Sequence, residues 1–463
     1  MIFVSSNMYF GSNDNDHYSD AENVFYSNPT TVTTINQDRQ KRNDNLHMTS
    51  NVNFNGPLGK KNSFRIEEMF NYFKDGDKLN TYEWNPVSGK YEILNNDLSN
   101  ELNRKGIKNN ATISLDLNSK AAHISPGISL QSINIKNRFL KNPGVNQEYF
   151  YAFPSLTFFI KNFNGGYRVQ INEPSAYDLQ PVVDNSDPLY QNFGNTELVP
   201  AIQHMFNMGF NKYNEKRSLS FSINSNMTFI DHSVIRERSV DSRGVRITKP
   251  VNVNGSGYVY LNFGMSKQYK FKNNLQISIR PALNFNYSKS FIIVNTIKSS
   301  YINLNLGGFV TWTINWNDIV ELNQRYNVTK QKSNYGSSSF QNLSFISHFS
   351  TTEFVVRLPK NWVWESSLDH RYNQQSAPGF SKNIFRWNAG INYLFLKEKK
   401  GQARLYVYDI LKQNTSALRE VSENFILDIE SNTLTRFFLI SFTYNIRDFK
   451  GGKVGSRNNF FWF

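Results

Sequence analysis

The sequence predicts an all-β protein, a transmembrane antiparallel β-barrel of about 18–20 strands. Three observations carry this: evenly spaced short turns alternating with longer polar loops, period-two hydrophobic alternation between them, and strands too long for a soluble sheet. After the turn at Asn214-Glu215-Lys216-Arg217, the residues Leu219, Phe221, Ile223, Met227 and Phe229 share one face, interrupted only by Ser225. Ser218, Ser220, Ser222, Asn224, Asn226 and Thr228 fill the other. Side chains on a strand repeat every second residue, so the segment has an oily and a watery side. The beat recurs in Ile302, Leu304, Leu306, Val310, Trp312, Ile314 and Trp316, in Leu275 to Tyr287, and in Val259 to Met265. At about 3.3 Å per residue, Ile302 to Trp316 spans roughly 46 Å, and at a tilt of about 40° it crosses an apolar band about 25 Å tall. Soluble strands usually run about 5–6 residues, which argues against a sandwich core. Trp312 and Trp316 suit an interfacial girdle.

Short connections are expected near Gly56 to Asn62, Asn118 to Ala122, Asn162 to Gly166, Asn214 to Ser218 and Lys270 to Asn274. Others fall near Asn315 to Asp318, Leu358 to Asn361, Glu398 to Gln402 and Glu430 to Thr433. Gly, Asn, Asp and Pro supply the turn backbone. Longer connections are expected at Asp75 to Lys108, Glu173 to Pro200, His232 to Pro250, Asn327 to Ser338 and Asn373 to Lys382. One rim of short turns and one of long loops is the layout of outer-membrane barrels, with the long loops outside the cell. Ile2 to Phe10 reads as one further strand, followed by a loop from Gly11 to Asn28 and a descending segment from Thr31 to Phe54. That brings the count to about 19, where a bacterial single-chain barrel should have an even number. Met1-Ile2-Phe3-Val4 lacks the basic n-region and cleavage site of a secretory signal. The expectation is therefore the C-terminal part of a longer protein, with residues 1–449 as the barrel domain and 450–463 as a tail. Its first and last strands should meet in a gapped or weakly bonded seam.

Composition agrees. The chain has 463 residues, 39% hydrophobic and 15% aromatic, with no Cys and a formal net charge of +14. No run of 18 apolar residues is present, which excludes a helical membrane protein. Without Cys there is no disulfide framework, thiolate nucleophile or thiolate metal site. The positive charge is scattered through turns and loops, as in Lys60-Lys61 and Lys397-Glu398-Lys399-Lys400, so it is read as solvated turn ends and no nucleic-acid partner is expected.

Pro174-Ser175-Ala176-Tyr177-Asp178-Leu179-Gln180-Pro181, continuing through Asp184-Asn185-Ser186-Asp187-Pro188-Leu189 to Gly194-Asn195-Thr196-Glu197-Leu198-Val199-Pro200, resembles a loop of the outer-membrane β-barrel family of Bacteroidota. Members of that family are similar to TonB-dependent receptors. Thr248 to Gly255, Lys400 to Thr415 and the closing strand Leu434 to Asp448 fit it too, so the resemblance covers nearly the whole chain. Thr196 and Ala201 depart from the usual Pro and Glu, which softens the loop-to-strand corner. The resemblance implies a truncated 22-strand receptor-like barrel in the cell outer membrane, taking up a ligand. The plug and the TonB-contacting segment are not found in this sequence. The alternatives are an outer-membrane barrel that displays loops and transports nothing, and a soluble all-β binding protein.

Catalysis finds little support. His17, His47, His123, His204, His232, His348 and His370 are dispersed, without metal-ligand spacing or a nucleophile motif. Asp178, Asp184, Asp187 and Asn185 offer hard oxygen donors to a cation, yet lack calcium-loop spacing, and Pro181, Pro188 and Pro200 suit a rigid corner. Gly307-Gly308 reads as a strand bend or close backbone approach, not a phosphate cradle. No residue is singled out as catalytic, cofactor-binding, metal-binding or substrate-binding. Expected partners are outer-membrane lipid, an unidentified small ligand, and the barrel assembly machinery, which reads a closing aromatic (Phe449 or Phe463). TonB would be reached only through N-terminal parts not in this sequence.

Overall fold

The computed structural model describes residues 2–25, 31–96, 98–140, 143–180, 184–187, 190–241, 245–376, 379–414, 416–421, 426–431 and 433–445. The strands begin with β1 (Ile2–Phe25), β2 (Thr31–Leu58), β3 (Asn62–Asn85), β4 (Lys90–Leu94), β5 (Asn100–Asn118) and β6 (Ala122–Phe139). Next come β7 (Val145–Ile160), β8 (Phe163–Asn172), the short helix α1 (Ala176–Leu179), β9 (Asp184–Asp187) and β10 (Tyr190–Asn192). After these run β11 (Ala201–Asn214), β12 (Leu219–Asp231), β13 (Ser233–Val240), β14 (Arg246–Val253), β15 (Ser256–Lys270) and β16 (Leu275–Val294). Then follow β17 (Ile297–Trp316), β18 (Val320–Tyr335), β19 (Leu343–Val356), β20 (Trp362–Asn373) and β21 (Asn383–Phe395). The chain ends with β22 (Gly401–Tyr408), β23 (Ser416–Val421), β24 (Ile426–Ser431) and β25 (Phe437–Tyr444).

Twenty-three strands form one sheet, while β23 and β24 pair with each other in a second. Five short members of the large sheet (β4, β9, β10, β13 and β14) belong to connections at the long-loop rim. The other eighteen run between the rims, each antiparallel to its neighbour. Tight corners join them at the opposite rim. Lys161, Asn274, Asn317 and Asn361 take left-handed backbone there, with φ of 55°, 51°, 53° and 75°; asparagine bears that conformation at lower cost than most residues.

Two expectations are corrected. The predicted short turn at Glu430 to Thr433 is not at the short-turn rim: β24 ends at Ser431 as part of the β23–β24 hairpin, inside the connection from β22 to β25. The described rim-to-rim count is eighteen, within the 18–20 strands expected. Several strands also outrun their predicted ends, β1 reaching Phe25, β3 Asn85 and β18 Tyr335. Above the lipid both faces meet water, so alternation vanishes although the hydrogen-bond ladder continues. Among the described residues no pairing joins β1 to β25, the edge strands of the large sheet. Phe449, Phe463 and the tail at 450–463 lie outside the described residues.

The hydrophobic phase inverts partway up the wall. On β6, Ile124, Ile128 and Leu130 face outward, whereas Ile133, Ile135 and Phe139 are buried on the other face. The register with β7 runs through this point without a shift, so no bulge causes it. Below the switch the outside is lipid. Above it, Phe73, Ile133, Ile135 and Ile171 cluster inside against Tyr149, Tyr151 and Phe153. Gly106 makes room: a Cβ there would lie 2.7 Å from Phe73 Cζ and 2.8 Å from Ile135 Cγ1.

Candidate functional site in the lumen

The inner face of β18 to β22 is polar because the residues between the lipid-facing Trp364 and Leu368 of β20 are Glu365 and Ser367, with Val363 and Asp369 continuing that face. Cross-strand register stacks these into rows. Arg325, Thr351, Asp369 and Arg386 form one, and Asn323, Glu353, Ser367 and Asn388 the next. Asp369 accepts from Arg386 Nε at 3.1 Å and Nη2 at 2.5 Å, and from Thr351 at 2.9 Å. Glu365 accepts from Arg404 Nε at 2.6 Å and Asn392 at 3.0 Å, and Arg404 lies 4.2 Å over the Tyr406 ring. Gly390 permits this crossing, since a Cβ would meet Tyr406 Cδ2 at 2.3 Å and Glu365 Oε1 at 3.0 Å. Each acid in a pair is nearly buried, with 8% exposure for Glu365 and 11% for Asp369. Burying a carboxylate is tolerable only because a charged partner and further donors satisfy it.

Toward the long-loop rim this wall opens into a cavity of about 490 Å³. Asp369, Arg386, Asn388, Tyr406, Tyr408 and Phe437 line part of it, and Tyr408 stacks on Phe437 at 4.4 Å. Asp409 closes its upper side, accepting from the backbone N–H groups of Gln413 and Asn414 at 3.0 Å each. The arrangement offers aromatic faces beside paired donors and acceptors, which suits a small polar ligand. Across the sheet, Arg65 binds Asp116 at 2.6 Å, and both Arg104 and Lys108 reach Glu173. Both cations also lie over the Phe73 ring.

The loop residues singled out in the sequence fold inward. Ser175 caps α1, and Asp178 accepts from Ser175 Oγ at 2.7 Å and Arg236 at 2.9 Å, so its carboxylate is committed to protein partners. Leu179 and Leu198 are buried, and Gly194 passes so close to Gln180 that a Cβ would sit 1.9 Å from its carbonyl. The side chains of Asp184, Asn185 and Asp187 lie outside the described residues. The described histidines are separate: His47 lies 2.7 Å from Asp75, His348 2.5 Å from Tyr326, His204 2.9 Å from Tyr167 and His370 3.1 Å from Asn383. His123 lies 2.6 Å from Asn118, while His17 and His232 stand at exposed and turn positions. Among the described residues no three His, Asp or Glu converge. At Gly307 the close approach is by a side chain rather than the backbone: a Cβ would meet Asn284 Oδ1 at 2.2 Å. Beyond the membrane span, Ser88 and Asn85 donate to Glu92 at 2.6 and 2.7 Å and hold its carboxyl below the usual range.

The lumen pairs were invisible to sequence reasoning. Glu365 and Arg404 are 39 residues apart, and only register brings them together.

A family model described as the outer membrane protein beta-barrel family matches residues 3–317 and 290–444. The β domain of the Bordetella autotransporter BrkA is similar over 74% of this chain and 97% of its own, at 9% identity and a TM-score of 0.19. No curated protein matches the sequence.

Proposed function

Because this chain belongs to the outer membrane protein beta-barrel family, and so resides in the outer membrane, we propose that it passes a small polar ligand across that membrane through its lumen. The observation that carries this reading is the wall of paired charges on β18 to β22, open to a cavity at the long-loop rim and backed by an apolar outer face. A wall whose ions are already paired gives a solute donors and acceptors without holding it by net charge. The role is one of transport, with no catalytic step. The finer reading is a TonB-dependent-receptor-like transporter, supported by the loop from Pro174 to Pro200. In receptors of that kind energy coupling belongs to a plug and a TonB-contacting segment, not to barrel strands. Flux into proteoliposomes carrying the folded chain tests the proposal. Small sugars and peptides should enter faster than into empty vesicles, and Arg386→Gln should change the rate. Flux equal to that of empty vesicles would leave a barrel that displays loops.

A further inference from the structure

Lys74, Lys105 and Lys136 occupy one cross-strand row on β3, β5 and β6. Adjacent strands lie about 4.8 Å apart, so three ammonium stems start within roughly 10 Å of one another. Arg138 stands one step higher on the same face, opposite Asn103. All four cations are exposed, and they point away from the buried Phe73, Gly106, Ile135 and Asn137 with which they alternate. They therefore face outward, toward the membrane.

Like charges placed directly opposite in a sheet destabilise it. Yet among the described residues no ion pair relieves these four, although Asp75 behind them binds His47 and Glu173 takes both Arg104 and Lys108. The acids at the patch margin, Glu101 and Glu148, accept from Asn103 and Asn134. A shallow depression of about 180 Å³ is lined by the four cations together with Asn103, Arg104 and Asp75, the last of which is engaged by His47.

Height settles what faces the patch. Ile124 is the lowest large apolar residue on the outer face of β6, and Lys136 is roughly 40 Å further along the strand at about 3.3 Å per residue. At a tilt of about 40° this is a rise of about 30 Å, just past an apolar band about 25 Å tall. The row immediately below is apolar on β2, β3 and β5, at Met48, Tyr72 and Ile107, and turns polar at Asn134 on β6 and Glu148 on β7. The lysines thus stand where acyl chains give way to headgroups, at the long-loop end.

We propose that Lys74, Lys105, Lys136 and Arg138 form a binding site for the phosphate headgroup of an anionic lipid in the leaflet on the long-loop side, with its acyl chains against Met48, Tyr72 and Ile107. The phosphate neutralises a charge row that the protein leaves open. Basic residues on the opposite rim, such as Lys60 and Lys61, are exposed in a turn.

The test uses the full folded chain in phosphatidylcholine bicelles, with and without phosphatidic acid. Bound lipid is read by native mass spectrometry and stability by the thermal midpoint. The wild type should retain phosphatidic acid over phosphatidylcholine and melt higher in its presence. The triple variant Lys74→Gln, Lys105→Gln, Lys136→Gln should bind it on the order of tenfold to hundredfold more weakly and lose the thermal gain. It should be at least as stable as wild type in phosphatidylcholine alone, because repulsion is removed. The control Lys60→Gln, Lys61→Gln should behave as wild type. Arg138→Gln alone, a milder change, should show a smaller loss. Equal weakening in the control, no preference for phosphatidic acid, or the same stabilisation by inorganic phosphate alone would each overturn the proposal.

Discussion

Arg404 donates to Glu365 at 2.6 Å from two strands away, and the strand between them contributes a glycine, Gly390, at the crossing. The pair ties β20 to β22 on the lumen side while Asn392 supplies the carboxylate's second donor at 3.0 Å. Removing one partner strands a nearly buried charge, whereas removing both does not. Arg404→Leu, which leaves the Glu365 carboxylate without its cation, should cost about 3–5 kcal/mol. The double variant Glu365→Leu, Arg404→Leu should recover most of it. Urea unfolding in detergent, followed by tryptophan fluorescence, measures both. A double variant no better than the single would mean that the pair's cost is not electrostatic.

Leu306 and Asn305 are neighbours on opposite faces of β17, and Leu306 is 52% exposed on the outer one. A cation on the lipid face near the midplane costs about 2–4 kcal/mol, and in a lumen far less. Leu306→Arg should therefore impair folding into vesicles much more than Asn305→Arg. Comparable yields of the heat-modifiable folded band would remove the lipid-facing assignment of Leu306, and with it that of Leu304 and Val310.

Gly106 has no room for a side chain between Phe73 and Ile135. Gly106→Val should lower stability by about 1–3 kcal/mol through overpacking. Adding Phe73→Leu should return part of that loss, since the clash is with the ring. If thermal melts show the two changes simply adding, the inner apolar cluster is looser than the distances indicate.

The long loops are expected outside the cell. Val87, at the tip beyond β3, is 94% exposed, and Lys399 lies in the turn between β21 and β22 at the opposite rim. The chain has no Cys, so single-cysteine variants label without background. In an exported form on whole cells, Val87→Cys should react with an impermeant maleimide and Lys399→Cys should not. The reverse pattern would invert the topology.

Strand faces were legible in the linear sequence because a period of two needs only local order: Leu219, Phe221 and Ile223 do share a face, as do Leu304, Leu306 and Val310. Eight short turns were legible for the same reason, since Asn, Gly and Lys mark a reversal wherever it occurs. The reversal near Glu430 shows the limit, because turn chemistry does not say at which rim a turn lies. The inward shift of Ile133 and Ile135 was likewise hidden: alternation reports which residues pair up on a face, not whether lipid or a folded-in loop covers it. Only register across several strands decided that Arg404 meets Glu365, that Arg386 meets Asp369, and that three lysines stand in one outward row. Period is a property of a single strand, and so of the sequence; neighbourhood is a property of the sheet, and these contacts join residues that the chain itself keeps apart.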